Sequence, residues 1–426
     1  MEFNSFKMKD VILDIFSGGT PRTRTPEYWG GELPWLSSGE TRSRYLTNTE
    51  KTITTKGVKE SSTKLAKKDS IVIASAGQGY TRGQTSYLLE SMYINQSVIA
   101  IQADENKILS KYLFYNISNR YRELRHISDS SSSRGSLTTK ILKDLPVEAP
   151  SLNIQYRIVN FIDAVDSKIE LNTKTIANLE ELSQTLFKRW FVDFEFPDEN
   201  GNPFKSSGGK LVDSELGDIP EGWEVKQLKN LAHHKKDTFN PNKTLEEQVY
   251  HFSLPAYDSG EIPVIEQVSE IKSNKWFIDK NCVLFSKMNP RTMRVWLTDA
   301  EEETTNVCST EFVVLESDSS RQNSFIYNVC KSDNFAYFLQ SNATGSTNSR
   351  QRIRPNIALD YKLAININVM EELAVLLEPY TNKIIALRKE ISSLKLLRET
   401  VLPKLMSGEI ELPDDLEVEE HAELLQ

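Results

Sequence analysis

The chain has 426 residues, of which 38% are hydrophobic and 26% are charged, and its formal net charge is −9. This length predicts two or three domains, and the composition is typical of a soluble globular protein. No apolar run reaches the ~20 residues that a membrane-spanning helix needs, which argues against a membrane protein. The N-terminal stretch mixes charged residues into its apolar positions, so we expect no secretory signal and a cytoplasmic location.

The acidic charge is unevenly distributed along the chain. Residues 1–150 carry 21 Lys and Arg against 16 Asp and Glu, a net charge of +5. Residues 371–426 carry 6 against 13, a net charge of −7. Because nucleic-acid binding depends on a local basic surface rather than on total charge, the overall acidity does not exclude a DNA-binding face.

The cysteines and histidines give no metal-binding pattern. Cys282, Cys308 and Cys330 are odd in number and too widely spaced for a CxxC site, which indicates free buried thiols. The pair His233–His234 has no cysteine partners, and neighbouring side chains diverge on a strand. We therefore predict that the chain holds no metal.

Two segments of the chain, 216 residues apart, have similar sequences. SRGSLTTKILKDLPVEAP (133–150) aligns with SRQRIRPNIALDYKLAIN (349–366), and both end in the apolar alternation of a half-buried strand. The identical pairs are Ser133/Ser349, Arg134/Arg350, Ile141/Ile357 and Asp144/Asp360. Upstream, KKDSIVIASAG (67–77) and DKNCVLFSKMN (279–289) repeat a buried strand followed by a polar turn. The sequence thus indicates an internal duplication.

Each half-buried strand leads into a long amphipathic segment. Apolar residues recur at spacings of three and four, as on a coiled-coil or bundle face, and the two stripes align at an offset of 215 residues. Asn172 is the one polar member, either fixing the register of a helix pair or standing solvated at a helix irregularity. The stripes include Leu182, Trp190, Tyr380, Leu397 and Leu405, and the predicted helix–helix interface comprises Ile162, Val165, Ile169, Ile176, Leu179, Leu186, Leu377, Ile384, Leu387, Ile391, Leu394 and Val401.

These patterns predict an α+β protein with two similar globular blocks. The blocks are 1–150 and 223–370, followed by long helices at 151–195 and 371–410, with a linker at 196–222 and an acidic tail at 411–426. Each apolar stripe needs a partner and the other helix is the nearest equivalent, so we expect an antiparallel coiled coil with pseudo-twofold symmetry and one block at either end. Two divergent blocks held apart suit a two-part ligand such as duplex DNA with two different half-sites.

Two motifs suggest an enzyme. DIFSGGTP (14–21) resembles an S-adenosylmethionine loop, but Pro21, Pro26 and Pro34 predict an irregular loop where such a site requires a helix. Pro197–Asp198 and Glu224–Lys226 resemble a PD…ExK nuclease constellation, but the aspartate lies in an acidic linker where carboxylates usually serve as solvating charge. There is also no P-loop. The sequence favours a binding protein, and the alternatives are a stand-alone DNA methyltransferase and a coiled-coil scaffold without a DNA function.

Candidate DNA contacts are the polar and basic side chains of irregular segments, because loops on a rigid scaffold carry specificity. For any one of them, a solvated surface charge is the simpler interpretation. As a set, they occur in corresponding loops of the two repeats. The candidates are Arg22, Arg24, Arg42, Arg44, Gln78, Tyr80, Arg82, Gln84, Arg134, Lys235, Lys236, Asn289, Arg291, Arg294, Asn348, Arg350 and Arg352.

Five stretches resemble, in their sequences and in their order along the chain, those of the specificity subunit of type I restriction–modification systems. They are FSGGTPRTRTPEYWGGELPWLSSGE (16–40), DSIVIASAGQG (69–79), NIQYRIVNFIDAVDSKIELN (153–172), LGDIPEGWEVKQL (216–228) and LRETVLPKLMSGEI (397–410). The resemblance covers nearly the whole chain. It departs at Pro379, where the second helix would begin or kink, and in the middles of both blocks.

The resemblance implies two target-recognition domains that read an asymmetric bipartite DNA sequence, with the helices as spacer. It also implies that this chain is not catalytic and binds no cofactor. Two copies of a modification subunit would bind S-adenosylmethionine and methylate adenine. A restriction subunit, present in up to two copies, would use ATP and Mg²⁺ for translocation and cleavage, and whether it is present stays open. The half-site sequences and the gap between them are not readable from this sequence.

Overall fold

The computed structural model describes residues 2–77, 79–131, 135–300, 303–345 and 351–413. The chain forms two compact units: unit 1 is Met1–Ser167 with Lys395–Gln426, and unit 2 is Lys168–Leu394. Both divisions fall inside long helices, so each unit combines a globular domain with one part of each helix. None of the helices in the described ranges combines the length and apolar content that crossing a lipid bilayer requires.

The globular part of unit 1 has two mixed sheets. They have the strand orders β2-β10-β7-β8-β4 and β5-β3-β9-β6, while β1 pairs with β11 alone. The strands are β1 (Asn4–Lys7), β2 (Ile12–Ser17), β3 (Trp29–Leu36), β4 (Tyr45–Leu46), β5 (Lys51–Ile53), β6 (Lys64–Ala66), β7 (Ile71–Ala74), β8 (Thr85–Leu88), β9 (Met92–Ile94), β10 (Val98–Ala103) and β11 (Pro146–Ala149). The helices are α1 (Thr55–Lys59), α2 (Ser110–Ser118), α3 (Tyr121–Ser131), α4 (Thr139–Lys143) and the long α5 (Leu152–Phe191).

The five-stranded sheet of unit 1 is buried on both faces. Ile71 and Ile73 of β7 pack into the cluster that contains α2, whereas Val72 points into a second cluster with Leu36. A strand buried on both faces is apolar at every position, which explains the uninterrupted run IVIA. The predicted half-buried strand before α5 is also confirmed, because Val147 and Ala149 of β11 are buried whereas Pro146 and Glu148 are exposed.

Unit 2 has the same kinds of element. Its sheets have the orders β15-β23-β20-β21 and β16-β19-β22-β17-β18, with two-stranded pairs β12-β13 and β14-β24. The strands are β12 (Leu211–Val212), β13 (Ile219–Pro220), β14 (Glu224–Gln227), β15 (His233–Lys235), β16 (Thr238–Phe239), β17 (Gln248–Phe252), β18 (Val264–Gln267), β19 (Lys275–Phe277), β20 (Cys282–Ser286), β21 (Val295–Leu297), β22 (Asn306–Cys308), β23 (Phe312–Glu316) and β24 (Lys362–Ile365). The helices are α6 (Leu254–Asp258), α7 (Ser320–Lys331), α8 (Asp333–Ser341), α9 (Pro355–Leu359) and the long α10 (Ile367–Ser407).

The element order of unit 1 recurs in unit 2. In both, a strand, β1 or β14, runs into a 3-10 turn, Met8–Asp10 or Leu228–Asn230, and pairs antiparallel with the strand that precedes the long helix. The succession α2, α3, α4, β11, α5 reappears as α7, α8, α9, β24, α10. The predicted α+β class and its duplication are therefore confirmed.

The two long helices run antiparallel within each unit. In unit 1, the core cluster joins Ile158 and Ile162 of α5 to Leu402 and Leu405 of α10. In unit 2, the end of α5 packs against the start of α10, with Phe187 and Phe191 in one cluster with Leu373 and Leu377. Lys168 pairs with Glu390 at 3.3 Å in the same unit. Residue numbers rise along one helix where they fall along the other, as the sequence predicts.

The predicted interface residues are buried or half-buried. Ile162, Val165, Leu377, Ile384, Leu387 and Ile391 are buried, and Ile169, Ile176, Leu179, Leu186, Leu394 and Val401 are half-buried. Two further stripe residues, Leu182 and Leu397, are 43% and 41% exposed, so their inclusion was wrong. Residues 391, 394 and 397 follow one another at two successive spacings of three. Six residues fall about 120° short of two full helical turns, so Leu397 lies off the face that carries Ile391. The face instead continues through Arg398, Leu402 and Leu405.

Asn172 is 2% exposed, so the interpretation of a solvated asparagine is wrong. Its Nδ2 atom has no hydrogen-bond partner among the described residues. A buried amide without partners costs free energy, so Asn172→Leu should raise the free energy of unfolding by about 1–2 kcal/mol in a urea titration. The exposed Asn178→Leu is the matched control, with a change below about 0.5 kcal/mol. A destabilised Asn172→Leu variant would contradict this expectation.

The second long helix does not begin at Pro379. It begins at Ile367 and continues through Pro379 to Ser407. Proline has no N–H to donate to the carbonyl four residues before it, which here belongs to Val375, a residue that is 48% exposed. Water can satisfy that carbonyl, so the helix tolerates the proline.

Candidate nucleic-acid interface

In unit 1, the loop between β7 and β8, residues 75–84, is fixed to two other segments. The N–H of Leu137 donates to the carbonyl of Ser75 at 2.9 Å, and the Tyr121 hydroxyl donates to the carbonyl of Tyr80 at 2.8 Å. Gly83 adopts φ +88° and lies directly over Tyr121. We call residues 75–84 the unit-1 loop. Tyr80 is 84% exposed on it, while Gln84 is half-buried.

Arg82 does not face solvent. Its side chain is 7% exposed and forms an ion pair with Asp129 of α3. Its Nη1 atom donates to the carbonyl of Gly135 at 2.9 Å, and Gly135 adopts φ +62° at a point where a side chain would collide with this guanidinium. Arg82 thus anchors the unit-1 loop, and its predicted contact with DNA stays a prediction that this burial argues against.

Unit 2 repeats this arrangement with different residues. The loop between β20 and β21, residues 287–294, is the unit-2 loop. The N–H of Asn289 donates to the carbonyl of Gln351 at 2.8 Å, and the N–H of Ile353 donates to the carbonyl of Lys287 at 2.9 Å. In each unit the structure therefore brings the hairpin loop against the segment that precedes the short helix, α4 or α9. Four predicted contacts, Gln78, Arg134, Asn348 and Arg350, lie outside the described residues.

The glycine pair of DIFSGGTP serves close packing. A side chain at Gly18 would collide with the carbonyl of Ile94, and one at Gly19 would collide with Ser62. The chain continues as a loop to a 3-10 turn at Pro26–Tyr28, as predicted, and not as a helix. Gly18 donates to the carbonyl of Asn95 at 3.2 Å and Ser75 donates to that of Ser97 at 2.8 Å. This loop and the unit-1 loop consequently flank one turn, at residues 95–97.

Three other predicted contacts are paired with carboxylates. Arg44 binds Asp166 at 2.8 Å and lies 4.9 Å from the centre of the Phe114 ring. Arg294 makes two bonds to Asp258, at 2.6 and 2.9 Å. Lys235 pairs with Asp279, Asp237 and Glu316. Burial opposes its charge, but hydrogen bonds to these carboxylates raise the pKa of Lys235 above its ordinary value. These side chains have structural roles, and whether they also contact DNA stays a prediction.

The remaining candidates are accessible. Arg22, Arg24, Tyr80, Lys236 and Arg291 are exposed. Arg42 is exposed and donates to the carbonyl of Gly39 at 3.0 Å, Arg352 is exposed and bound to Glu311 at 3.0 Å, and Asn289 is half-buried. Whether they contact DNA stays a prediction.

His234 adds no positive charge to this surface at neutral pH. Burial, with the charges of Lys236 and His233, lowers the pKa of His234 to about 4. Among the described residues, no group of three or more His, Cys, Asp and Glu is arranged to hold a metal ion.

Sequence reasoning missed a basic stretch on α3. Arg122 and His126 are exposed and Arg125 is half-buried on this helix, beside the unit-1 loop. The signal was present, since basic residues at i, i+3 and i+4 share one helix face. It was overlooked because the segment YRELRHISDSS was not assigned to a helix.

Comparison with known proteins identifies relatives over the whole chain. The sequence model of the type I restriction modification DNA specificity domain matches residues 1–181. The specificity subunit of the type I restriction enzyme MjaIX from Methanocaldococcus jannaschii is 27% identical over 430 residues, covering 96% of this chain and 93% of that protein. The EcoR124I/EcoR124II specificity subunit from Escherichia coli is 30% identical over 187 residues, 43% of this chain and 46% of that protein.

A solved structure has a similar fold. The S subunit of a type I restriction–modification system from M. genitalium superposes with a TM-score of 0.58 and 15% sequence identity. The alignment covers 95% of this chain and 96% of that chain. At this identity, the likeness concerns the fold alone.

Proposed function

We propose that the chain is a specificity subunit of a type I restriction–modification system and that each of its units reads one half of an asymmetric bipartite DNA target. The observation that carries this proposal is the duplicated loop assembly. In each unit a hairpin loop is hydrogen-bonded to the segment before α4 or α9, so both units present an equivalent surface.

The two surfaces differ in the side chains they offer. The unit-1 loop presents Tyr80 and Gln84, and the unit-2 loop presents Arg291 and Asn289. Arginine recognises guanine through paired bonds and glutamine or asparagine recognises adenine, so equivalent positions with different residues favour different half-sites. The exposed Arg22, Arg24 and Lys236 would hold phosphates, which position the protein on DNA without reading its sequence.

We assign catalysis to partner subunits. In this proposal, two copies of a modification subunit bind S-adenosylmethionine and methylate adenine. Restriction subunits, where present, use ATP and Mg²⁺. The packing role of Gly18 and Gly19 supports this division of labour, because these glycines are accounted for without a cofactor. Accordingly, we expect the purified chain alone to transfer no methyl group from S-adenosylmethionine to DNA.

Methylome sequencing tests the proposal. Deleting the gene from the source strain should remove one split adenine motif, and the wild-type gene should restore it. Complementation with Tyr80→Ala plus Gln84→Ala should relax one half of that motif, whereas Arg291→Ala should relax the other half, since each lost base contact costs about 1–3 kcal/mol of discrimination. Loss of no motif, or an effect of both variants on the same half, would refute two-part reading.

A further inference from the structure

We infer that α3 of unit 1 is a phosphate-binding helix that holds the DNA backbone beside the unit-1 loop through Arg122 and Arg125. This inference rests on the proposed function and extends it. It adds an element that the repeated loop surfaces do not include, and it assigns that element to affinity rather than to base recognition.

The unit-1 loop packs against α3. Gly83 lies over the side chains of Tyr121 and Leu124 in the first turn, and the Tyr121 hydroxyl bonds the backbone of Tyr80. Arg82 reaches Asp129 further along the helix. DNA that contacts the exposed Tyr80 would therefore pass close to α3.

The charges on and around α3 leave an uncompensated positive pair. Glu123 is neutralised by Arg120, which binds it at 2.6 and 2.7 Å, and Asp129 is neutralised by Arg82. Arg122 and Arg125 have no ion-pair partner in the described part of the chain. Arg122 is exposed and Arg125 is half-buried, so their guanidinium groups are open to a ligand to different extents. A phosphate oxygen is the kind of acceptor that an uncompensated guanidinium binds.

These side chains share one face of the helix. At 100° per residue, positions 122, 125, 126 and 129 fall within an arc of about 100°. The face thus includes His126, a further exposed polar group, and it ends at the carboxylate that anchors the loop. The corresponding helix of unit 2, α8, has the sequence DNFAYFLQS without Lys or Arg. The phosphate-binding helix is accordingly specific to unit 1.

Salt dependence of DNA binding distinguishes a phosphate contact from a base contact. The experiment compares the wild-type chain with Arg122→Gln/Arg125→Gln, each in complex with its modification subunit, on a duplex carrying the methylated motif. The logarithm of the binding constant falls linearly with the logarithm of the salt concentration. Two lost phosphate contacts should reduce the magnitude of this negative slope by about two. Affinity should fall on specific and nonspecific duplexes alike, and the methylome motif should stay unchanged.

Two variants serve as controls. Lys67→Gln/Lys68→Gln removes two exposed charges at the opposite end of β7 from the unit-1 loop and should leave the slope unchanged. Arg122→Lys/Arg125→Lys keeps both positive charges and should retain most of the salt-dependence slope. This variant therefore separates a lost contact from a folding defect. If the wild-type complex binds specifically but the glutamine variant keeps its slope or changes its motif, the role of α3 is refuted. A wild-type complex without specific binding would instead refute the proposed function.

Discussion

Asp166→Ala should lower the free energy of unfolding of unit 1 by about 3–5 kcal/mol, because it strands two arginines in a largely buried site. The Asp166 side chain is 5% exposed and binds Arg398 of α10 at 2.6 Å and Arg44 at 2.8 Å. It also accepts a hydrogen bond from the Tyr45 hydroxyl at 2.7 Å. One carboxylate therefore joins both long helices to the globular part of unit 1, and its loss should be felt in all three.

Urea unfolding measures the loss in the free energy of unfolding, and hydrogen–deuterium exchange shows which segments are destabilised. Exchange should rise in β4, in the first part of α5 and in the last part of α10. Glu170→Ala is the matched control on the same helix. Glu170 is 48% exposed and pairs only with Lys174 at 2.8 Å among the contacts described, so a change below about 0.5 kcal/mol is expected. If Asp166→Ala changed the free energy of unfolding by less than about 1 kcal/mol, the site would relax or admit water. Asp166 would then not be the residue that stabilises the junction of both helices with the globular part of unit 1.

Arg82→Ala and Asp129→Ala should each weaken specific DNA binding, by about tenfold to hundredfold. The reason is that each breaks the same charged bond that anchors the unit-1 loop, and such a bond contributes about 1.5–3 kcal/mol. Loosening the loop raises the ordering cost of binding without removing a base contact. The double variant should bind no more weakly than Arg82→Ala alone, because that variant already loses both the ion pair with Asp129 and the bond to the carbonyl of Gly135.

This double-mutant cycle separates anchoring from reading. If Arg82 contacted a base, Arg82→Ala would relax the motif at that base, while Asp129→Ala would free Arg82 and leave the motif intact. Lys236→Ala, an exposed charge on unit 2, is the control for a simple change in net charge. A relaxed motif in the Arg82→Ala variant, or additive effects in the double variant, would instead support Arg82 as a reader of the DNA sequence.

The repeated architecture could be predicted because it depends on local patterns. Identities at an offset of 216 residues marked the duplicated strand, and spacings of three and four marked both long helices. The candidate interface was predictable only in part. Loop composition selected Tyr80 and Arg291 correctly as exposed. It could not separate them from Arg82, Lys235 and Arg294, whose partners Asp129, Asp279 and Asp258 lie 36 to 47 residues away in sequence.

Sequence alone determined that this protein is built twice from an α+β domain and a long helix, since hydrophobic periodicity and internal identity are properties of the chain itself. Tertiary structure alone decided which charges are available to a ligand. Arginine and lysine have the same composition signature whether they face water or a buried carboxylate, and only the fold brings Asp129 to Arg82, Asp258 to Arg294 and Asp279 to Lys235. The same holds for α3, where Asp129 pairs with Arg82, and Arg122 and Arg125 are left uncompensated among the residues that the structure describes.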